Sequence, residues 1–346
     1  MAQGYCIMSH IVRPATMNDL PGLVALLEHV DPGMITMPQT REEMEKRVQR
    51  SEHAFERPAQ PPEGEAYFLI LEDEGRIVGT SSIFTNLGSQ RPFYSYRVIR
   101  ESKSSPETGI SVELDMLHLV NDHHGDAELG TLFILPERRG GGRGRLLSFA
   151  RLMLIAAEPY RFGPRIMAEI RGWTDDDQVS PFWEAVGRKF FHMDYRVADA
   201  MSAKDHRFIA DLMPRFPICA DLLPEDARAV IAKAHDKARP ARSLLESQGF
   251  RYNNVVDIFD AGPCVESFTD SIDIVRNAER MTAKDWVAGK AEAKGLLARA
   301  DFKHFAATTF RPEDDRQSVI DRLGMSNTDE VMTYQFREPR TWRIQN

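Results

Sequence analysis

Three consecutive glycines, Gly140 to Gly142, interrupt the most apolar part of this chain. They follow the run AELGTLFILP, which is typical of a buried strand, and precede RLLSFARLMLIAAE, which has the apolar spacing of a helix. Glycine adopts positive φ easily and lets the backbone approach a ligand closely. The N–H groups at the start of a helix attract anions. Because arginines flank the glycines on both sides, this order of strand, loop and helix predicts a cradle for a phosphate group.

The glycine-rich loop fits one phosphate-binding pattern better than the common alternatives. It lacks the Gly-Lys-Ser/Thr ending of a Walker A loop and the third glycine of a dinucleotide fingerprint. On composition alone it would also fit a flexible loop or an RNA-binding tract. Its place between two apolar elements favours the phosphate cradle. It matches the pattern R-x-x-G-x-G with Arg139, Gly140, Gly141, Gly142, Arg143 and Gly144.

The composition describes an ordinary globular protein that carries excess negative charge. Hydrophobic residues make up 42% and charged residues 28% of 346 residues, and the formal net charge is -8, which argues against a dedicated nucleic-acid binder. Three scattered cysteines argue against a disulfide framework or a zinc site. No apolar run reaches membrane-spanning length, and the first residues lack a secretory signal. We therefore expect a soluble cytoplasmic protein with no membrane or nucleic-acid partner.

The order of elements predicts an α/β (α+β) chain in two parts. Strand-like and helical segments alternate over residues 11–200. After residue 200 come three short helices, a helix that leads into the strand NNVVDIFD, and two strand-like pieces near the end. Residues 276–300 are charged and predict a solvated helix. We expect one domain over 11–200 and a second over 201–346.

The glycine-rich loop resembles the diphosphate loop of the GCN5-related N-acyltransferases, which bind acyl-coenzyme A. The hairpin EGRIVGTSSI, the loop after a fourth strand, and SPFWEAVGRKFF after a fifth strand are similar to that superfamily in kind and order. The resemblance implies an acyl-CoA N-acyltransferase fold over 11–200. It also implies that the C-terminal α+β extension over 201–346 completes the active site.

Several longer stretches resemble one family within this superfamily, the arginine N-succinyltransferases. The similarity covers about residues 11–270 and is carried by YSYRV, ELGTLFI, AEIRG, SPFWEAVGRKFF, FIADLMPRFPI, ARAVIAKAH and LLESQGFRYNNVVDIFDAGP. The family transfers a succinyl group from succinyl-CoA to the α-amine of L-arginine, and some members accept ornithine. Its members form homo-oligomers or hetero-oligomers of related chains. The resemblance thus implies succinyl-CoA as a co-substrate, with no permanently bound cofactor.

The resemblance also nominates a catalytic residue and an acyl-CoA contact. His235, the last residue of ARAVIAKAH, matches the family's proton donor, although its surroundings AHDKARP also fit an exposed polar loop. The family usually has His-Pro here, whereas this chain has His235-Asp236, a change that can move the ring or alter its pKa. Leu132 matches the acyl-CoA contact, with Phe133 beside it. Acyl transfer to an amine needs a proton acceptor or donor with a pKa near neutrality, which suits histidine.

The charged substrates set further demands on the site. A guanidinium needs a carboxylate, and the carboxylates of arginine and succinate each need a cation. Glu169 fits a strand-edge ion pair with an arginine equally well. The candidates for substrate binding are Tyr94, Arg97, Glu128, Glu169 and Arg171.

Two other clusters favour structural roles. His123 and His124 in NDHHGD would point in opposite directions on a strand, so we expect no metal site there. The apolar side chains of two helices are expected in the core, namely Met153, Phe182, Trp183, Phe190 and Phe191.

Three alternatives to arginine succinylation stay open on the sequence. The first is an acyltransferase that uses ornithine, another amine or another acyl-CoA. The second is a non-catalytic partner chain, against which the presence of both the glycine-rich loop and His235 argues. The third is a nucleic-acid-binding module, which the negative net charge opposes.

Overall fold

A computed structural model of the chain describes residues 10–30, 34, 36–175, 177–202 and 207–336. The strands are β1 His10–Pro14, β2 Ala66–Asp73, β3 Arg76–Phe84, β4 Ser95–Ser105, β5 Ile110–Val120, β6 Ala127–Ile134, β7 Arg165–Glu169, β8 Ile218–Cys219, β9 Arg251–Asp257, β10 Pro263–Phe268, β11 Glu279–Thr282, β12 Gly295–Arg299, β13 Ala307–Phe310 and β14 Glu330–Gln335. The α-helices are α1 Leu20–Leu26, α2 Arg41–Glu56, α3 Arg143–Ala157, α4 Pro181–Ala185, α5 Gly187–Phe191, α6 Tyr195–Ser202, α7 Arg207–Leu212, α8 Glu225–Ala229, α9 Arg239–Glu246, α10 Asp273–Asn277, α11 Ala283–Ala288 and α12 Arg316–Arg322.

The described strands form one continuous sheet in the order β11-β14-β12-β13-β1-β2-β3-β6-β7-β10-β9-β4-β5-β8. Strands from the C-terminal part enter it at three places, because β13 pairs with β1, β9 and β10 lie between β7 and β4, and β8 pairs with β5. Both predicted parts therefore share a sheet. The pairing of β6 with β7 is parallel, whereas the other paired strands of the described chain run antiparallel. The α/β class is confirmed.

Helix α3 runs through the largest core. Its side chains are apolar around most of its circumference, as expected of a helix that is covered on all sides. The sheet covers one side of it, and α9 and α10 cover the other. Met153 is fully buried, as its helix predicted. This packing fixes the N-terminus of α3, and with it the glycine-rich loop that precedes the helix.

A second core confirms the predicted aromatic cluster and changes the shape of its helix. Phe182, Trp183 and Phe191 are buried, and Phe190 packs partly buried against them. The sequence predicted one helix here, but the structure has two short ones, α4 and α5. The break lies at Gly187, where an added Cβ would come within 2.1 Å of the Trp183 ring. The ring therefore packs directly on the glycine backbone where one helix ends and the next begins.

The prediction of a solvated helix over residues 276–300 is wrong. The structure places β11, α11 and β12 there. The abundant charged residues conceal short apolar runs, because Leu296, Leu297 and Ala298 of β12 are completely buried between β13 and β14. Trp286 of α11 is buried as well. The two strand-like pieces predicted near the C-terminus are confirmed as β13 and β14.

The remaining structural expectations concern cysteines, membranes and metals. Cys219 and Cys264 are free thiols, whereas Cys6 lies outside the described residues. Over the described ranges, no helix has the length and apolarity to cross a membrane. The same part of the chain contains no cluster of metal-ligating side chains. His123 instead places its Nδ1 3.0 Å from Asp126 Oδ2, in a buried pair.

Candidate active site

A gap between two parallel strands defines the candidate site. Along their described lengths, β6 and β7 pair at Ala127 with Ile166 and at Glu128 with Met167, and the pairing then stops. β7 continues alongside β10 on its other edge. The chain therefore opens a wedge between β6 and β7, beginning immediately after Glu128.

A β-bulge bends β6 where the wedge opens. The register of β3 against β6 shifts between Thr80 and Ser82, and Thr131 on β6 has a φ of 53°. Thr36, from the segment before α2, holds the bulge in place. It accepts a hydrogen bond from the Thr131 N–H at 3.2 Å, and its carbonyl accepts one from Thr131 Oγ1 at 3.1 Å. Bulges next to active sites redirect backbone groups, and this one redirects the half-buried Leu132.

The glycine-rich loop adopts the conformation that its sequence predicted. Gly140, Gly141 and Gly142 have φ values of 95°, 60° and 84°, a region that favours glycine. Gly142 is the N-cap of the 15-residue helix α3, so the first N–H groups of the helix lie directly after the loop. Such a helix start is a site for an anion.

The two loop arginines differ in what they contact. Arg139 is exposed, and its Nε donates to the carbonyl of Ile134 at 3.2 Å. Arg143 turns inward, where its Nη2 lies 3.0 Å from Oδ2 of the buried Asp73. His10 Nε2 is 3.1 Å from the other oxygen of Asp73. Arg143 therefore anchors the loop to the end of β2 with much of its charge already neutralised.

Replacing Asp73 tests this anchor. We expect Asp73→Asn to lower the free energy of unfolding by about 3 kcal/mol, because removing one partner of a buried ion pair leaves the other charge uncompensated. Urea denaturation would measure the change. Glu137→Gln is the matched control, since it removes a charge from an exposed side chain beside the same loop. Equal stability of the two variants would show that Asp73 does not hold Arg143.

His235 comes from the C-terminal part of the chain but lies beside the end of β7. Its backbone N–H donates to the carbonyl of Arg171 at 2.9 Å, and Ala234 forms an antiparallel bridge with Gly172. The N–H of Ile170, the residue after β7, donates to the carbonyl of Pro263, the first residue of β10. Because successive residues of an extended chain direct their hydrogen-bonding groups to opposite edges, the carbonyl of Arg171 faces away from β10. The segment that carries His235 thus enters on the β6 side, where the wedge lies.

The local hydrogen bonds select one tautomer of His235. The N–H of Lys237 donates to His235 Nδ1 at 3.1 Å, so the neutral ring carries its proton on Nε2. Asp236 points away from the ring, and its Oδ1 pairs with Arg239 at 2.9 Å on the surface. His235 is the N-cap of the short turn Asp236–Ala238, so Asp236 occupies the first position of that turn. Both proline and an acidic residue suit the first position of such a turn, so Asp236 is compatible with the turn that begins at His235.

A buried carboxylate locks the backbone behind His235. Asp260 is almost completely buried and accepts hydrogen bonds from the N–H groups of Gly172 and Gly262, each at 2.7 Å. An added Cβ on Gly262 would lie 2.2 Å from the carbonyl oxygen of Ile170. Burial raises the pKa of Asp260, and the two backbone donors oppose that rise. The sequence carried no signal for Asp260, because its partners are backbone groups of a distant segment.

Glu128 lies at the closed end of the wedge and has an unusual pKa. Burial raises its pKa to about 7, although Arg47, His123 and Arg151 act in the opposite direction. Gly130 beside it must be glycine, since a Cβ there would lie 2.7 Å from the Phe84 ring and 3.6 Å from Glu128 Oε1. Near neutral pH, Glu128 therefore exists in both the protonated and the ionised form.

Two arginines, the half-buried Arg47 and the buried Arg151, flank Glu128 and were not predicted from the sequence. The guanidinium of Arg47 on α2 lies 4.8 Å from the Phe84 ring centroid, and burial lowers its pKa to about 10. Arg151 on α3 is nearly inaccessible, and its Nη1 donates to the carbonyl of Gly130 at 3.4 Å. An arginine inside the apolar run of α3 was the available signal for Arg151.

The other predicted substrate residues fall into two groups. Glu169 ends β7, and Arg171 lies two residues later beside His235, so both border the wedge. The Cys264 thiol donates to Glu169 Oε1 at 3.9 Å. Arg97 is on β4 and pairs with Asp122 at 2.6 Å, with Tyr94 just before the strand. Two strands separate β4 from β7, a distance of about 14 Å at normal strand spacing. The structure therefore does not bring Arg97 or Tyr94 to the wedge.

The parallel wedge, the bulged strand and the glycine-rich loop at a helix N-terminus together define an acyl-CoA N-acyltransferase. Comparison with known proteins then identifies the family. The family model described as arginine N-succinyltransferase beta subunit matches residues 10–274. The chain belongs to the arginine N-succinyltransferase family.

Individual relatives agree with this assignment. The arginine N-succinyltransferase subunit beta of Pseudomonas aeruginosa is 39% identical over 272 residues, which cover 78% of this chain and 80% of the relative. The arginine N-succinyltransferase of Yersinia pestis is 34% identical over 96% of this chain and 99% of its own. The solved structure of arginine/ornithine succinyltransferase subunit AI from Pseudomonas aeruginosa has a TM-score of 0.84 at 27% identity, over 96% of this chain and 100% of that chain. The predicted fold class is confirmed.

Proposed function

We propose that this enzyme transfers the succinyl group of succinyl-CoA to the α-amine of L-arginine. The observation that carries the proposal is the position of His235 beside the end of β7, at the wedge that opens between β6 and β7. A proton donor, a bulged strand and an anion-binding loop then lie along or just after the two neighbouring strands β6 and β7. This combination suits acyl transfer from a thioester whose diphosphate is bound at the loop.

The reaction needs a polarised carbonyl and a protonated leaving group. The redirected N–H of Leu132 donates to the thioester oxygen, and the side chain of Phe133 supports the strand behind it. The neutral α-amine of arginine attacks the carbonyl carbon and forms a C–N bond, while the C–S bond breaks. His235 donates its Nε2 proton to the departing sulfur and takes up the proton that the attacking nitrogen releases, so that coenzyme A leaves as a thiol and the ring is neutral again. The loop of Arg139, Gly140, Gly141, Gly142, Arg143 and Gly144 binds the diphosphate through its N–H groups.

The substrate charges are matched by residues at the wedge. Above pH 7 the ionised Glu128 pairs with a cationic group of arginine, and Glu169 adds negative charge on the facing strand. Arg171 supplies the cation for a substrate carboxylate. Tyr94 and Arg97, which lie two strands away, have a weaker geometric basis for a role in binding. The part of the chain over 201–346 thereby completes a site that 11–200 begins.

A matrix of acyl donors and amines tests this function. Release of the free thiol would be followed with succinyl-CoA and acetyl-CoA, each against arginine, ornithine and lysine. The proposal predicts turnover that is fastest with succinyl-CoA and arginine. Faster turnover with ornithine, or turnover with acetyl-CoA alone, would replace the assigned amine or acyl group. No turnover with any pair would favour a non-catalytic partner chain.

We also propose that the enzyme works as a homo-oligomer or together with a related chain. Support comes from the names of two relatives, which are described as subunit beta and subunit AI. Sedimentation of the purified chain, alone and mixed with a related chain, distinguishes these two assemblies from a monomer.

A further inference from the structure

A lysine from the C-terminal part of the chain reaches the glycine-rich loop. Lys294 directly precedes β12, and its Nζ lies 3.5 Å from the point where a Cβ on Gly142 would be. Gly142 is the N-cap of α3. The ammonium group therefore lies next to the backbone N–H groups that form the anion site at the start of that helix. Nothing in the loop sequence itself indicates this cation.

The sheet register gathers more positive charge around Lys294. Gly295 is opposite Phe310 on β13, so Lys294 lies beside Arg311 at the same end of the sheet. On the other side, the carbonyl of Lys294 accepts a hydrogen bond from the N–H of Phe336 at 2.9 Å. Arg145, in the first turn of α3, places its guanidinium 5.1 Å from the Phe336 ring centroid. Three cations from α3, β12 and the end of β13 thus converge on one spot.

The positive charge of Lys294 is less well balanced by acidic groups than that of the neighbouring Arg311. Arg311 has nearby acidic groups. Its Nη1 lies 3.9 Å from Glu313 Oε1, and its backbone N–H donates to Asp314 Oδ2 at 2.9 Å. No carboxylate of the described residues forms an ion pair with the Lys294 ammonium. Burial lowers the pKa of Lys294, and the charges of Arg311 and Arg145 lower it further, although Asp314 and Glu313 oppose them. A half-buried ammonium held among like charges is stabilised when an anion binds.

We infer that Lys294 binds the diphosphate of acyl-CoA together with the glycine-rich loop, and that Arg145 and Arg311 reinforce the site. The inference rests on the proposed function, because it takes acyl-CoA as the ligand. It assigns part of the phosphate binding to residues beyond the loop. Arg143, the arginine that directly follows Gly142 in the loop, is already paired with Asp73. Lys294 supplies the positive charge that Arg143 does not present to the ligand.

Calorimetric binding of coenzyme A to Lys294→Met tests the inference. We expect the dissociation constant to rise about 10- to 100-fold, the value of a charge-assisted hydrogen bond. Lys290→Met is the matched control, because it removes an equal charge from an exposed lysine four residues earlier. Lys294→Arg should recover most of the affinity. In turnover assays, Lys294→Met should raise KM for succinyl-CoA and leave both kcat and KM for arginine close to their original values.

Two further measurements separate the possible outcomes. Lys294→Met should weaken the binding of coenzyme A that lacks its 3′-phosphate by the same factor as it weakens the binding of intact coenzyme A. A loss confined to intact coenzyme A would overturn the assignment to the diphosphate. In the absence of ligand, Lys294→Met should not lower the unfolding midpoint, since it relieves repulsion by Arg145 and Arg311.

The result with the unchanged chain distinguishes this inference from the proposed function. Tight binding of coenzyme A that is unaffected by Lys294→Met would overturn the inference and leave the proposed function intact. Failure of the unchanged chain to bind coenzyme A would overturn both.

Discussion

Replacing His235 with alanine is expected to lower kcat by about 10²- to 10⁴-fold, the usual contribution of a general acid. The physical reason is that the sulfur would have to leave as an unprotonated thiolate. Binding of coenzyme A should survive, because the glycine-rich loop and α3 belong to a different part of the fold. Stopped-flow measurement of thiol release at saturating substrate would give kcat, and calorimetry would give the affinity for coenzyme A.

Asp236 provides the matched control for His235. Its side chain is exposed and pairs with Arg239, so Asp236→Asn keeps the turn and removes a neighbouring charge. We expect its kcat to stay close to that of the unchanged enzyme. An unaffected rate in His235→Ala would show that His235 is an ordinary surface residue. Comparable losses in both variants would indicate that the turn as a whole is required, with no specific role for the imidazole.

Replacing Glu128 with glutamine is expected to raise KM for arginine about 10- to 100-fold, the value of a hydrogen bond to a charged group. KM for succinyl-CoA should change little, because Glu128 lies at the opposite end of the wedge from the loop. The expected pH dependence follows from the pKa of about 7 that burial gives this carboxyl group. Since the ionised form binds the cation, kcat/KM for arginine should rise with pH through about 7.

The pH profile of the variant provides the specific readout. Glutamine does not titrate, so the rise near pH 7 should disappear in Glu128→Gln while any titration from other groups persists. Glu137→Gln, which alters an exposed carboxylate near the loop, should retain the rise. A profile in Glu128→Gln that keeps its rise would assign the titration to another group. An unchanged KM for arginine would show that Glu128 does not contact the amine substrate.

Local sequence patterns predicted the loop well, because its requirements are local. Positive φ at Gly140 to Gly142 follows from glycine, and the helix start follows from the apolar run after it. The same reasoning did not indicate that Arg143 turns inward to an ion pair. Its partner, Asp73, lies 70 residues away at the end of a different strand. Which side of the loop an arginine faces depends on that distant carboxylate.

The residues that the C-terminal part places at the proposed site, His235 and Lys294, were the hardest to predict from local sequence patterns. His235 was nominated through family resemblance, whereas its spacing alone fitted an exposed loop. Its position depends on a backbone bridge between Ala234 and Gly172, and backbone bridges leave no mark in side-chain composition. Lys294 was missed because residues 276–300 are rich in charge, which outweighed the short buried run of β12. In the proposed site, both residues come from the C-terminal part, whose strands join those of the N-terminal part in one sheet.

A crystal structure with coenzyme A and arginine bound would show whether acyl transfer takes place in the wedge beside His235. We expect the diphosphate on Gly140 to Gly142 and the sulfur in the wedge between β6 and β7. We also expect His235 Nε2 to lie about 3 Å from the sulfur, or to be joined to it through one hydrogen-bonded water molecule. Coenzyme A bound away from the wedge, or an imidazole with no hydrogen-bonded path to the sulfur, would contradict acyl transfer at this place.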